Sequence, residues 1–155
     1  MDFYLRRMPE LSGKHCTVYS AIIDNVSPFE QFVDDYFVSY GEEVEDILSK
    51  IQVIGRVGAI EPYFKMYEGK YGDGVCALYD DDEQRLRLYC IRFDEEILIL
   101  GGGGSKVVRK WQDDPDLKKN AEKMIEVSKR ITDFLRKKSS EIHWSENEFS
   151  GDLVK

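Results

Sequence analysis

The sequence predicts an α+β domain built from an N-terminal strand, a helical hairpin, an antiparallel β-meander and a C-terminal helix. Three observations carry that expectation. Apolar residues recur at helical spacing in two successive stretches, Phe29, Phe32, Val33, Tyr36, Phe37, Tyr40 and then Val44, Ile47, Leu48, Ile51, Ile54. Between residues 63 and 100 the period changes to short strand-like runs separated by turns. From residue 107 to 139 it returns to helical. Helices first and strands after them, instead of alternation, point away from a doubly wound parallel sheet.

Residues 14–23, KHCTVYSAII, are rich in β-branched and apolar side chains and read as a first long strand, extended by FYLRRM before it. Ser27 and Pro28 announce a helix, with Ser27 as N-cap, Pro28 at the first helical position and Glu30 at the third. Gly41 breaks that helix, and the second one presents an acidic outer face of Glu42, Glu43, Glu45 and Asp46. The meander comprises YFKMYEGK (63–70), VCALYD (75–80), RLRLYCIRF (85–93) and ILIL (97–100), with turns at 71–74, 80–83 and 94–96. The first strand needs a partner and pairs with the meander across the hairpin. The glycine run 101–104 is expected to stop the sheet. A short helix with Val107, Val108 and Trp111 follows, then a break at 113–115. The last helix has an apolar stripe of Leu117, Ala121, Met124, Ile125, Ile131, Phe134 and Leu135, and an outer face rich in lysine and arginine. Residues 1–139 are read as one domain, and 140–155 as a polar tail that partly docks through Ile142, Trp144, Phe149 and Leu153.

A chain of 155 residues, 42% apolar and 34% charged, fits one folded domain with a core of its own. No apolar run approaches the roughly 18–20 residues of a membrane span, and MDFYLRRMPELSG lacks the apolar core of a signal peptide, so a cytoplasmic location away from membranes is expected. Cys16, Cys76 and Cys90 are odd in number and sit among apolar residues, which reads as reduced core thiols. His15 and His143 match no zinc spacing with them, so no metal or other cofactor is expected. The net charge of −8 is unevenly distributed. Residues 102–139 carry a local balance of +5 and the remainder −13, so one stretch can present a basic face on an acidic protein.

Alternation along 85–93 places Arg85, Arg87, Tyr89, Ile91 and Phe93 on one face of the strand, and Leu86, Leu88, Cys90 and Arg92 on the other. Arginines so spaced on a rigid sheet suit bidentate capture of a phosphate, and the tyrosine suits stacking on a base or moving a proton. The plainer alternative is that the arginines pair with the acids at 80–82 or Glu96 and that Tyr89 is half-buried. The run GGGGSK is not a phosphate-binding loop of the nucleoside-triphosphatase type: Val107 follows the lysine and no parallel αβ unit surrounds it. Its glycines are read as letting the chain leave the sheet and deliver Lys106 to the sheet's end, with Arg109 and Lys110 forming a basic patch for RNA phosphate or an ordinary helix surface. No Ser/His/Asp triad or nucleophile elbow is present. The acids at 80–83 read as a solvated turn, and Trp111 and Trp144 as packing residues.

The order of elements, together with FKMYEGKYGDGVCALYD, RLRLYCIRF and ILILGGGGSK, resembles the RelE/ParE/HigB superfamily of type II toxin–antitoxin toxins. EGK-x-GDGVCALYD and LRLYCIR are also similar to segments of a set of bacterial proteins, chiefly from Bacteroidetes, with no assigned activity. The resemblance implies a toxin that is a metal-independent, ribosome-dependent mRNA endoribonuclease and inhibits translation. In it the ribose 2′-hydroxyl attacks the adjacent phosphate, and a cognate antitoxin, a helix-turn-helix protein, neutralises the enzyme. It assigns Arg87 to stabilising the pentavalent phosphate, Lys106 to activating the nucleophile or binding phosphate, Tyr89 to stacking or proton transfer, and Arg85 to an assisting role, with Arg109 and Lys110 binding RNA. The chain departs from the family pattern in lacking an arginine at 77–80, in holding one lysine in the lysine segment, and in being acidic. Two other functions of the same scaffold therefore stand beside the nuclease: a non-catalytic module binding a partner protein through the acidic hairpin or the sheet, and gyrase inhibition as in the ParE branch.

Overall fold

A computed structural model of the chain describes residues 1–65, 74–78, 83–106 and 115–155. Its centre is a six-stranded mixed sheet of β1 (Phe3–Arg7), β2 (Thr17–Ile23), β3 (Phe64–Lys65), β4 (Val75–Leu78), β5 (Leu86–Phe93) and β6 (Ile97–Ser105), in spatial order β1-β2-β6-β5-β4-β3. The α+β class expected from the sequence is therefore present. The first strand does pair with the meander: β2 runs parallel to β6, in register from Thr17 opposite Ile97 to Ser20 opposite Leu100. All other neighbours in the sheet are antiparallel. FYLRRM is not an extension of β2. Its first five residues are a separate strand, β1, which turns back and pairs antiparallel with β2, Phe3 opposite Ile23.

The hairpin consists of α1 (Pro28–Tyr36) and α2 (Gly41–Val57). Ser27 caps α1 as its position predicts: its Oγ accepts the Glu30 N–H at 3.1 Å, with Pro28 in the first turn. Gly41 opens α2 instead of lying between the helices. Gly58, at φ +107°, ends α2 and returns its N–H to the Ile54 carbonyl at 2.7 Å. The hairpin covers one face of the sheet, burying Phe29, Phe32, Val44, Ile47, Ile51 and Ile54 against Val18, Leu86, Leu88, Cys90, Leu98 and Leu100.

The last helix, α3 (Pro115–Lys137), covers the opposite face. Leu117, Ala121, Met124, Val127 and Ile131 pack on Tyr19, Ala77, Tyr89, Ile91, Ile97 and Ile99. The sheet is thus the middle of three layers. Each large aliphatic side chain withdrawn from water contributes about 1.5–3 kcal/mol, so both interfaces are needed to offset the entropy of ordering the chain.

The glycine run does not stop the sheet. β6 passes straight through it to Ser105, with one irregularity: Leu88 faces Gly103 and Cys90 faces Leu100, so Gly101 and Gly102 together oppose Tyr89 in a bulge. Glycine suits position 102 because α1 and α3 both come close to the strand there. A β-carbon at Gly102 would lie 2.6 Å from Asn120 Oδ1 of α3 and 3.1 Å from Pro28 Cβ of α1.

The tail docks more fully than its polarity suggests. A small hairpin, β7 (His143–Ser145) and β8 (Glu148–Ser150), buries Phe149 against Tyr19 and Phe93, with ring centroids 5.9 and 5.3 Å away. The final residues then run beside β1: the Leu5 N–H donates to the Leu153 carbonyl at 2.7 Å, and the Lys155 N–H donates to the Leu5 carbonyl at 2.8 Å. The chain's own terminus covers an edge otherwise open to strand addition. Among the described residues no helix is long and apolar enough to cross a membrane.

Candidate functional site

The four residues singled out on and beside β5 divide into two pairs. Arg87 and Tyr89 do share a face, as alternation requires, but it is the face that α3 covers. Arg87 is 4% exposed and Tyr89 wholly buried. The Arg87–Tyr89 part of the polar stripe therefore lies inside the molecule instead of facing solvent. The physical reason is that α3 has its own apolar stripe to bury, and Tyr89, Ile91, Ile97 and Ile99 give it an apolar surface to bury it on.

Arg85 and Lys106 form the second pair, at the end of the sheet where β5 begins and β6 finishes. The Lys106 N–H donates to the Arg85 carbonyl at 2.7 Å, extending the β5–β6 ladder by one rung. Arg85 is exposed and Lys106 half-buried. The Arg85 guanidinium lies 6.0 Å from the centre of the Tyr40 ring. It lines a shallow pocket with Ser39, Tyr40 and the first residues of α2, Gly41, Glu42 and Glu43. The Glu43 carboxylate accepts the Leu86 N–H at 2.7 Å, tying the helix to the strand next to Arg85. Arg109 and Lys110, with Trp111 and the acids at 80–82, lie outside the described residues.

The cysteines are deep in the hairpin-side core. Cys76 and Cys90 are register partners on β4 and β5 with sulfurs 3.7 Å apart, and each thiol also approaches the other's carbonyl. Burial pushes the Cys16 thiol up to about 12 and the Cys90 thiol well above its ordinary value. Such thiols remain protonated and unreactive at neutral pH. Among the described residues no group of three His, Cys, Asp or Glu side chains is placed to hold a metal ion.

A feature that the sequence reading did not single out lies on the outside of the hairpin. Between α1, α2 and the loop after β1 runs an open groove of about 430 Å³. Its walls are Met8, Leu11, Phe29, Val33 and Leu48, of which Met8, Val33 and Leu48 remain half-exposed. Glu10, Glu30 and Asp34 stand on its rim. Val33 and Leu48 were visible as members of the helical stripes. Only the angle at which the two helices meet leaves them partly uncovered.

No protein-family model, curated protein or solved structure matches the chain.

Proposed function

We propose that the chain works by binding another protein, on a scaffold of the RelE-like toxin type, through the groove between α1 and α2. The occupant is a basic amphipathic helix: apolar anchors fill the strip formed by Met8, Leu11, Phe29, Val33 and Leu48, and lysines or arginines meet Glu10 and Asp34, Glu30 being already paired with Arg6 at 3.4 Å. On the toxin–antitoxin resemblance, that helix belongs to the cognate antitoxin, in the cytoplasm. The observation that carries the reading is the half-exposed apolar floor inside an acidic rim. The net charge of −8 and the burial of Arg87 and Tyr89 favour it over catalysis on β5.

One observation favours ribosome-dependent, metal-independent RNA cleavage as a second reading. Arg85 and Lys106 meet at one end of the sheet and both reach solvent, so a backbone phosphate could be held there without entering the core. Gyrase inhibition rests on the family resemblance alone.

Inducible expression in bacteria with a translation readout separates these readings. Protein binding alone leaves translation running, in wild type and in Arg85→Ala and Lys106→Ala alike. Translation arrest relieved by Arg85→Ala or Lys106→Ala transfers the function to the cationic end of the sheet. Arrest of growth with altered DNA supercoiling and intact translation supports the gyrase reading.

A further inference from the structure

The α1 wall of the groove is made of two columns of side chains, and both run on beyond the groove. Helical residues four positions apart stand one above the other. Phe29 and Val33 form an apolar column, Glu30 and Asp34 an acidic one, and all four line the groove. The helical path does not stop with them. Phe37, which caps α1, keeps helical angles of φ −61° and ψ −41°, and its N–H donates to the Val33 carbonyl at 2.9 Å. Phe37 therefore stands one turn above Val33, as the third member of the apolar column. The following turn closes in the same way, the Tyr40 N–H donating to the Tyr36 carbonyl at 2.8 Å. Val38 lies within that turn, four positions after Asp34, so an apolar side chain takes the third place in the acidic column.

Phe37 is 52% exposed and Val38 92%, the highest value for a large apolar side chain among the described residues. A single exposed apolar residue is ordinary on a protein surface. Two adjacent ones in line with a half-exposed apolar groove make one continuous patch. The hairpin's own core has no use for them. Its inward side at this point is filled by Phe32, Tyr36 and Tyr40, in ring contact at centroid distances of 5.4 and 6.0 Å. In the acidic column Glu30 is paired with Arg6 at 3.4 Å, so a partner's cation meets Asp34.

We propose that the partner helix extends over the tip of the hairpin, and that Phe37 and Val38 select which helix is accepted. This inference rests on the groove reading and adds the partner's composition to it. Along the groove the partner offers apolar anchors and a cation toward Asp34. One turn further, where the acidic column ends in Val38, the matching position is apolar instead of basic, and a second large apolar residue covers Phe37. Phe29 to Phe37 is eight residue steps, about 12 Å of helix, so the partner needs at least about three turns. A uniformly basic amphipathic helix would press a lysine against Val38, where desolvating an unmatched charge disfavours it.

Fluorescence anisotropy of the full chain with labelled, alanine-rich helical peptides tests this. All share a core of two turns carrying leucines and a lysine. One further turn is added at the N-terminal end in one pair of peptides and at the C-terminal end in the other, so that either direction of binding reaches the tip. Within each pair that turn carries two leucines or two glutamines, residues of similar helix propensity, so helicity does not decide the outcome. The expected result is that in one pair the leucine peptide binds at least about tenfold more tightly than the glutamine peptide. The Phe37→Ser/Val38→Ser double variant, altered only at exposed positions, erases that difference, and Val38→Ser alone, at a side chain already in solvent, reduces it. Equal binding of leucine and glutamine peptides in both pairs, weakened throughout by Val33→Glu, overturns the inference while the groove reading stands. Binding of no peptide overturns both. A leucine preference undiminished in the variants also overturns the inference.

Discussion

Gly103 and Arg87 are neighbours across β6 and β5, so closely apposed that a β-carbon at 103 would collide with the Arg87 carbonyl oxygen. Backbone, not a flexible side chain, blocks that space, so no rotamer change relieves it. Gly103→Ala is expected to cost at least about 3 kcal/mol of unfolding free energy in denaturant titrations, the upper end of overpacking penalties. Gly41→Ala is the control. Nothing lies within 4 Å of a β-carbon there, and alanine at the start of α2 is expected to stabilise by up to about 1 kcal/mol.

Tyr19 holds the C-terminal hairpin to the sheet through one hydroxyl, which accepts the Phe149 N–H at 2.8 Å and donates to the Phe149 carbonyl at 3.2 Å. Tyr19→Phe keeps the ring packing and removes both bonds, leaving a buried N–H without its acceptor. The expected cost is about 1–3 kcal/mol. Faster amide exchange at Phe149 and a red shift of Trp144 emission should accompany it, since Trp144 packs edge-on to Phe149 at 5.7 Å. Unchanged exchange at Phe149 would show that the Tyr19 hydroxyl does not seat the tail.

Alkaline pH should unfold the protein through its core thiols. The Cys16 thiol is pushed by burial from 9.0 to about 12, and the Cys90 thiol is also raised. Above pH 9 the unfolded chain loses these protons while the folded chain keeps them. Stability is therefore fully present below pH 9 and falls as pH rises toward 12, by up to about 1.4 kcal/mol per pH unit for each thiol. Tyr19, raised by burial from 10.0, adds to the fall from pH 10 upward. Cys16→Ala should flatten the decline measured by denaturant titration at successive pH values, and an unaltered slope would remove Cys16 from the explanation.

Local chemistry was legible in the sequence, and tertiary placement was not. Ser27, Pro28 and Glu30 announce the start of α1 because a cap is satisfied within four residues. Alternation along β5 correctly groups Arg87 with Tyr89, yet it carries no information about which face a distant helix will cover. A clue was present in the near-continuous apolar runs of β5 and β6, which mark strands buried on both faces. The four glycines punctuate a sequence but here form a strand, since their value lies in how closely α1, α3 and β5 approach, a long-range property. The tail has few apolar residues, and what seats it, Tyr19, is 130 positions away from Phe149. The groove is a space between elements and has no motif.

The account's central claim is that an apolar, acid-rimmed groove on the hairpin receives a basic helix. Fluorescence anisotropy with a labelled lysine-rich peptide bearing leucines at helical i, i+4, i+7 spacing tests it directly, comparing wild type with Val33→Glu. Simple attraction to an acidic protein would strengthen binding to the variant, which gains a negative charge. A seated apolar anchor would instead lose its contact with Val33. The account predicts that Val33→Glu weakens binding at least about tenfold while Arg85→Ala leaves it unchanged. Equal or tighter binding by Val33→Glu, or no binding by the wild type, would contradict it.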